Sequence, residues 1–384
     1  MGYFANLRDR NIKLSFVVMF LFVIFSTGCV FHSQDVLEVD GKFSGLKSEL
    51  MNHDQALNIM IVHGMKYKPS NYAENLIRTT SERMGLGRDY NRKTQFVVRG
   101  SPNSATITLY EYRQGPKVVR FFSVWWAGIT LFAKDTLDKN DKNENRLELV
   151  NTIKSGLLND GIGDVILYHN PAYRAAINNV LSQGICRMTR RDPYANPQGK
   201  CNFSNESQAA GNSDNILAIT FSLGSKILFD TVKGLAASDV VAERNAANAF
   251  RIRNSKIFMM ANQLQLLGLS SIPMNINTLD GYTDSNLLQA SLGDYIQARK
   301  SLLGGMLGGK AALEIIAFSD PNDFLSYRVP PMSDAKVVNI MISLAKTGYS
   351  LPFGEPQVVN PLTAHAGHED DDDVMRMLVN GVKY

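Results

Sequence analysis

Short apolar runs that end abruptly in polar or small residues recur along the 384 residues of this chain. A run of roughly four to eight apolar residues is typical of a buried strand, whereas apolar positions spaced by about three or four are typical of a helix. The first pattern predicts strands at 57–62, 105–112, 118–125, 163–169, 215–221, 256–263, 312–318 and 336–343. The second predicts helices at 146–158, at 171–181 and after residue 222. Their alternation indicates an α/β protein.

The run at 215–221 is the most informative, because it stops at Ser222 and is followed by Gly224 and Ser225. A strand, a sharp turn that exposes a serine hydroxyl, and a helix beneath it form a nucleophile elbow, usually written Gly-x-Ser-x-Gly. Here Thr220 occupies the place of the first glycine. The pattern predicts either a catalytic serine or a serine that only caps the helix, since serine is also a common cap.

Candidate partners for Ser222 follow further along the chain, which has six histidines. The predicted strand at 312–318 leads into a turn containing Asp320 and Asp323, and His365 precedes the last helical pattern. A serine hydroxyl needs an imidazole to remove its proton, and the imidazolium that forms needs a carboxylate to orient and stabilise it. Serine, aspartate and histidine in this order therefore predict a catalytic triad, with either aspartate as the acid.

A fourth feature is the sequence His63-Gly64-Met65 at the end of the predicted strand 57–62. Together the four features resemble the α/β-hydrolase superfamily, in which a His-Gly pair after an early strand shapes the oxyanion hole. The resemblance implies an α/β-hydrolase fold, with a mostly parallel central sheet, helices on both faces and cap-like insertions. It also implies that the N–H groups of Met65 and Leu223 stabilise the tetrahedral oxygen, each donor being worth about 3–4 kcal/mol of barrier.

The same resemblance assigns the remaining roles. Ser222 is the nucleophile and His365 the general base. The superfamily has Gly-x-x-Asp after this strand, and Asp320-Pro-Asn-Asp323 aligns with it. Asp323 is then the acid, and Asp320, the alternative acid, accepts backbone N–H bonds within the turn. His368 stands where a tyrosine is usual and is the alternative base.

The N-terminal segment predicts export. Basic residues precede an apolar run at 14–25, and a small-residue site ends at Cys29. This arrangement is typical of a secretory signal and is short for a membrane span. It resembles a bacterial lipoprotein cleavage site, which implies a signal peptide at 1–28 and a lipid on Cys29. Val30 then implies an outer-membrane location facing the periplasm of the cell envelope. An ordinary signal peptide or an uncleaved anchor are the alternatives.

We divide the remaining chain into an N-terminal tether at 29–52 and a hydrolase domain at 53–384. Insertions near 186–214 and 264–310 interrupt the domain, and in this superfamily such insertions form the cap that selects the substrate. The first insertion begins at Cys186 and contains Cys201. In an oxidising compartment these two cysteines can form a disulfide worth roughly 3 kcal/mol. Two free thiols are the alternative.

Composition excludes little else. The formal net charge of +4 is small for this length, and no basic cluster is interleaved with aromatic residues, so the sequence predicts no nucleic-acid partner. The run from His365 through His368 to Asp373 raises the alternative of a metal site. Carboxylates that are crowded in sequence cannot all reach one ion, so we predict no metal and no other cofactor.

These observations predict an exported, membrane-anchored serine hydrolase. It would cleave carboxylic esters, of acyl or lipid-like type, through an acyl-Ser222 intermediate. The preference for esters comes from the superfamily and not from the residues. The alternative is a non-catalytic binding lipoprotein of the cell envelope that has a hydrolase fold, which the departures at Thr220 and His368 favour.

Overall fold

The computed structural model describes residues 36–52, 56–65, 68–99, 104–141, 151, 154–196, 199–203, 214–271, 289–304, 312–344 and 361–383. The predictions for the signal peptide, for Cys29 and for residues 29–35 lie outside these ranges, as does most of the helix predicted at 146–158. Within the described ranges, no helix combines the length and the apolar character that crossing a membrane requires.

The strands alternate with helices along the chain, as expected for an α/β protein. They are β1 (Val36–Val39), β2 (Phe43–Ser44), β3 (Leu57–Val62), β4 (Arg92–Arg99), β5 (Ser104–Gln114), β6 (Lys117–Trp125), β7 (Asn215–Phe221), β8 (Asn254–Met260), β9 (Leu313–Ser319), β10 (Ala335–Ile342) and β11 (Gly381–Val382). Seven of the eight predicted strands are confirmed as β3, β5, β6, β7, β8, β9 and β10.

The main sheet has nine described strands in the order β1-β10-β9-β8-β7-β3-β6-β5-β4. The six strands from β10 to β6 are mutually parallel, whereas β1, β5 and β4 pair antiparallel at the two sides. The chain leaves β3 to one side to form β6 and then crosses to the other side to form β7. Ligand sites of α/β sheets lie at such a reversal, beyond the carboxyl ends of the strands.

Helices cover both faces of the sheet. They are α1 (Leu46–Asn52), α2 (Glu74–Met84), α3 (Gly128–Asp141), α4 (Gly163–His169), α5 (Pro171–Thr189), α6 (Leu223–Ala236), α7 (Val241–Arg253), α8 (Leu264–Gly268), α9 (Asp294–Leu302), α10 (Pro361–Ala366) and α11 (Asp372–Asn380), with a π-helix at Lys154–Ile162. Side chains of α5, α6, α7 and α9 share one apolar core with the sheet, and those of α1, α2 and α11 share the other. Successive strand residues such as Ile59 and Met60 point into opposite cores.

The strand predicted at 163–169 is wrong, because these residues form α4. A short apolar run does not distinguish a strand from a helix by itself. The buried residues are Asp164 and Tyr168, which lie one helical turn apart, while Ile166 between them is exposed. The Asp164 carboxylate is also paired with Lys134 of α3 at 2.9 Å, and this buried ion pair holds α4 against α3.

The tether predicted at 29–52 is corrected for residues 36–52, which belong to the folded body. β1 pairs with β10, and α1 packs its Leu46 and Leu50 into the core. The ammonium of Lys256 on β8 binds the Glu49 carboxylate at 2.7 Å and the Ser44 hydroxyl at 2.8 Å. A buried cation therefore fixes this N-terminal segment to the sheet.

The two predicted insertions have defined structure where they are described. Cys186 and Cys201 form a disulfide with an S–S distance of 2.08 Å. The buried guanidinium of Arg187 stacks on Phe96 and donates to backbone carbonyls of the loop that the disulfide closes. The segment 264–310, predicted to be an insertion, contains α8 and α9 among its described residues, and apolar side chains of both helices join the core.

Candidate active site

Ser222 stands between β7 and α6 with φ 50° and ψ −121°. This positive φ is strained for a residue with a side chain, and such strain is concentrated at functional sites. The Ser222 N–H donates to the Met260 carbonyl of β8 at 2.8 Å, which holds the turn against the neighbouring strand. The Ser222 hydroxyl makes no capping bond to α6, so the alternative of a simple helix cap is wrong.

Two glycines allow the loop after β3 to touch this turn. A Cβ on Gly224 would lie 2.6 Å from the Val62 carbonyl oxygen, and one on Gly64 would lie 2.7 Å from the Ser222 Cβ. Thr220, the departure from the elbow pattern, is buried, and its hydroxyl is hydrogen-bonded to the Ser225 hydroxyl at 2.8 Å. The threonine is therefore accommodated by a local partner.

The three residues of the predicted triad come together. The His365 Nε2 lies 3.0 Å from the Ser222 Oγ, and its Nδ1 lies 2.8 Å from the Asp323 Oδ2. They are contributed by the turn after β7, the turn after β9 and the helix α10. The geometry is that of a serine whose proton an imidazole can accept and whose imidazole a carboxylate orients.

The two candidate acids have different partners. Asp323 receives a backbone bond from Leu325 on one oxygen and faces His365 with the other. Asp320 accepts bonds from the backbone N–H groups of Asn322 and Leu344, both at 2.7 Å. Burial raises the pKa of Asp320. The expected division of roles between the two aspartates agrees with these contacts.

The two candidate bases also differ. His368 is 1% exposed, and neither of its ring nitrogens has a hydrogen-bond partner among the described residues. Burial, with a smaller contribution from the charge of His365, lowers the pKa of His368 to about 4. His368 is therefore neutral at physiological pH and makes no bond to Ser222, so His365 is the one of these two histidines that contacts Ser222.

The buried His368 ring predicts a loss of stability in acid. Its folded pKa of about 4 lies below the 6.5 of a free histidine, so protons bind the unfolded chain preferentially as the pH falls from 6.5 to 4. His368→Leu should reduce the loss in unfolding free energy between about pH 6.5 and 5 by roughly 2 kcal/mol. Urea unfolding at both pH values measures this change in the free energy of unfolding. The exposed His169→Leu is the control, and an equal loss in His368→Leu and the wild type would contradict the prediction.

His63 organises the loop that follows β3. The Trp126 N–H donates to the His63 Nε2 at 3.1 Å, so the ring proton is assigned to Nδ1, which donates to the Gly64 carbonyl at 2.8 Å. Stacking on the Trp126 ring, with centroids 4.5 Å apart, completes its burial, and burial lowers the pKa of His63 to about 3. His63 is thus a neutral structural residue.

This contact sets the direction of the next peptide group. The C=O and N–H of a trans peptide point in opposite directions. Since His63 holds the Gly64 carbonyl, the N–H of Met65 is directed away from the His63 ring. Leu223 is the first residue of α6, so its N–H has no acceptor within the helix. The two predicted oxyanion donors thus directly follow Gly64 and Ser222, the two residues that meet at this turn.

The loop after β3 is also tied to the segment after α10. The Lys68 ammonium forms an ion pair with the Glu369 carboxylate, and the Lys68 carbonyl accepts a 2.6 Å bond from the Trp125 indole. Burial raises the pKa of Glu369. This pair joins the loop after β3 to the segment that directly follows α10, the helix that carries His365.

The acidic run after His368 serves the final helix. Asp371 caps α11 by accepting from the N–H groups of Asp373 and Val374, and Asp373 pairs with Arg376. Among the described residues, no three His, Cys, Asp or Glu side chains come together as a metal site would require. The structure thus gives the run a capping role.

The sequence analysis missed Gln263, whose amide lies beside His365. The signal was present, because Gln263 is the last residue of the predicted strand 256–263, and this strand ends at the edge where Ser222 and Asp323 follow theirs. Polar residues at the carboxyl ends of parallel strands are candidates for site residues even when no motif includes them.

The comparisons with known proteins identify no relative. The chain matches no protein-family model, no curated protein and no solved structure.

Proposed function

We propose that this protein is a serine hydrolase of the α/β-hydrolase superfamily. The observation that carries the proposal is the pair of hydrogen bonds through His365, which join the Ser222 hydroxyl to the Asp323 carboxylate. The strained turn at Ser222, at the carboxyl end of a central parallel strand, supports it further.

In the proposed reaction, His365 takes the Ser222 proton as Oγ attacks the carbonyl carbon of the substrate. The carbonyl electrons move to the oxygen, where the N–H groups of Met65 and Leu223 stabilise the negative charge. When the tetrahedral intermediate collapses, His365 gives the proton to the leaving group. A water molecule, activated by the same histidine, then releases the acid from acyl-Ser222.

The substrate is proposed to be a carboxylic acid derivative. The triad geometry suits esters and amides alike. The expectation of acyl or lipid-like esters comes from the superfamily resemblance alone. The proposed reaction requires no metal and no organic cofactor. The rival reading as a binding protein relied on Thr220 and His368. The hydrogen bond between the Thr220 and Ser225 hydroxyls and the contact of His365 with Ser222 support the catalytic proposal over this alternative.

Covalent labelling tests the proposal. A fluorophosphonate reacts with a serine that a neighbouring base activates, so the full chain in detergent should gain one phosphonyl group, located on Ser222 by peptide mass spectrometry. Heat-denatured protein is the control for reaction with ordinary serines. A folded protein that gains no label would contradict the proposal.

We also propose a lipid anchor at Cys29 and a location on the outer membrane of the cell envelope. Replacing Cys29 by Ala removes the thiol that would be acylated, so the variant should fail to incorporate radiolabelled palmitate and should leave the membrane fraction or stay unprocessed. Ser33→Ala is the matched control. Unchanged palmitate incorporation and membrane partition of Cys29→Ala would contradict the anchor.

A further inference from the structure

Gln263 is held at the carboxyl end of β8 by an unusual turn. Ala261 has φ 51°, a conformation rare for a residue with a side chain. The Asn262 amide then binds the Tyr327 carbonyl at 3.0 Å and the Gln265 side chain at 2.9 Å, and its oxygen accepts from the Leu264 N–H. The turn is therefore fixed on several sides, and it directs Gln263 into the site.

The amide of Gln263 lies between His365 and Met65. Its Nε2 is 3.5 Å from the His365 Nε2 and 4.0 Å from the Met65 Sδ. The residue is 1% exposed, and its Oε1 has no hydrogen-bond partner in the described part of the chain. A buried acceptor without a partner is costly, and in a site it indicates a ligand that supplies the missing donor.

The position of the amide limits which part of the substrate could be that donor. The His365 Nε2 delivers a proton to the atom that leaves, so the leaving group lies beside it. Nε2 and Oε1 of Gln263 share one carbon atom, so Oε1 also lies near the leaving group. When an ester is cleaved, the leaving oxygen carries no hydrogen of its own. When a secondary amide is cleaved, the leaving nitrogen keeps its own hydrogen, and this N–H needs an acceptor once water is excluded.

We propose that the Gln263 Oε1 accepts a hydrogen bond from the N–H of the leaving group, and that the preferred substrates are therefore carboxamides. This inference rests on the proposed function, and it favours amides over the esters that the superfamily resemblance implies. In the reaction, Ser222 Oγ bonds to the carbonyl carbon, His365 passes the serine proton to the leaving nitrogen, and the C–N bond breaks to release an amine and acyl-Ser222. The bond to Gln263 holds the N–H while the nitrogen lone pair turns toward His365.

The experiment compares leaving groups that differ at one atom. Wild type and Gln263→Met are assayed with 4-nitroanilides and 4-nitrophenyl esters that share acyl chains from acetyl to decanoyl. Methionine has a similar length but offers no amide acceptor, so the ratio of kcat/KM for anilide to that for ester should fall roughly 10–100-fold. Gln263→Asn, which withdraws the acceptor by one methylene, should lower the same ratio. The exposed Gln297→Met is the matched control.

The outcomes separate this inference from the proposed function. Equal losses on both substrate series would mean that Gln263 only positions His365, and would overturn the substrate contact. An unchanged anilide-to-ester ratio in both Gln263 variants would also overturn the substrate contact. The same holds if fluorophosphonate labels the wild type but the wild type cleaves none of the anilides. A wild type that takes no label would instead remove the proposed function, and this inference with it.

Discussion

Ser222→Ala and His365→Ala are each expected to lower kcat/KM by at least about 10³-fold, and the double variant should lose no more than the worse single variant. The reason is that the two side chains act as one unit through their 3.0 Å contact. Without the imidazole the hydroxyl keeps its proton, and without the hydroxyl the imidazole has nothing to activate. Both losses are measured as initial rates on the 4-nitroanilides or the 4-nitrophenyl esters, whichever series the wild type cleaves faster. Fluorophosphonate labelling of each variant is measured alongside.

His169→Ala is the matched control for the histidine variant, since His169 is exposed and its ring bonds to the carbonyl of Val165 in its own helix. Its activity should equal that of the wild type. If the two losses in kcat/KM multiplied in the double variant, Ser222 and His365 would act independently, which would contradict their action as one unit. Thermal unfolding of each variant shows whether a loss of activity reflects a loss of fold.

Asp323→Asn is expected to lower kcat by roughly 10³–10⁴-fold. The carboxylate accepts the His365 Nδ1–H at 2.8 Å and so leaves Nε2 free to accept the serine proton. An amide can present an N–H to the same nitrogen, which favours the tautomer with its proton on Nε2 and removes the base.

Asp320→Asn is the comparison that separates the two aspartates. Asp320 binds backbone N–H groups in its own turn and at Leu344, beyond β10, so its replacement should lower the unfolding temperature while kcat stays within about tenfold of wild type. A larger loss of kcat in Asp320→Asn than in Asp323→Asn would show that the acid had been misassigned.

Two residues of the predicted triad, Ser222 and Asp323, were predictable because each follows a buried strand of a parallel sheet. Such strands are nearly continuous apolar runs, and their carboxyl ends meet at one edge, so that Ser222 and Asp323 become neighbours whatever lies between them. His365 was predictable for another reason, since the chain has few histidines and this one precedes the final helix.

Other features depended on packing that the sequence does not display. β1 and β4 lie at the sides of the sheet, and β4 alternates little between apolar and polar residues, with Phe96 its buried residue. The run at 163–169 is helical because Asp164 finds Lys134 across a helix contact. Gln263 belongs to no motif, and only the 3.5 Å distance between its Nε2 and that of His365 places it in the candidate site.

The pairing of β1 with β10 bears on where a membrane-anchored form of this protein could act. With a lipid on Cys29, seven residues of chain lead to Val36, a span of at most about 25 Å. From β1 to β7 the sheet is four strand spacings wide, or about 19 Å. Ser222 would then stay within roughly 45 Å of the bilayer. A hydrolase anchored in this way would act only in a thin layer next to its membrane, so its substrates would have to reach that layer.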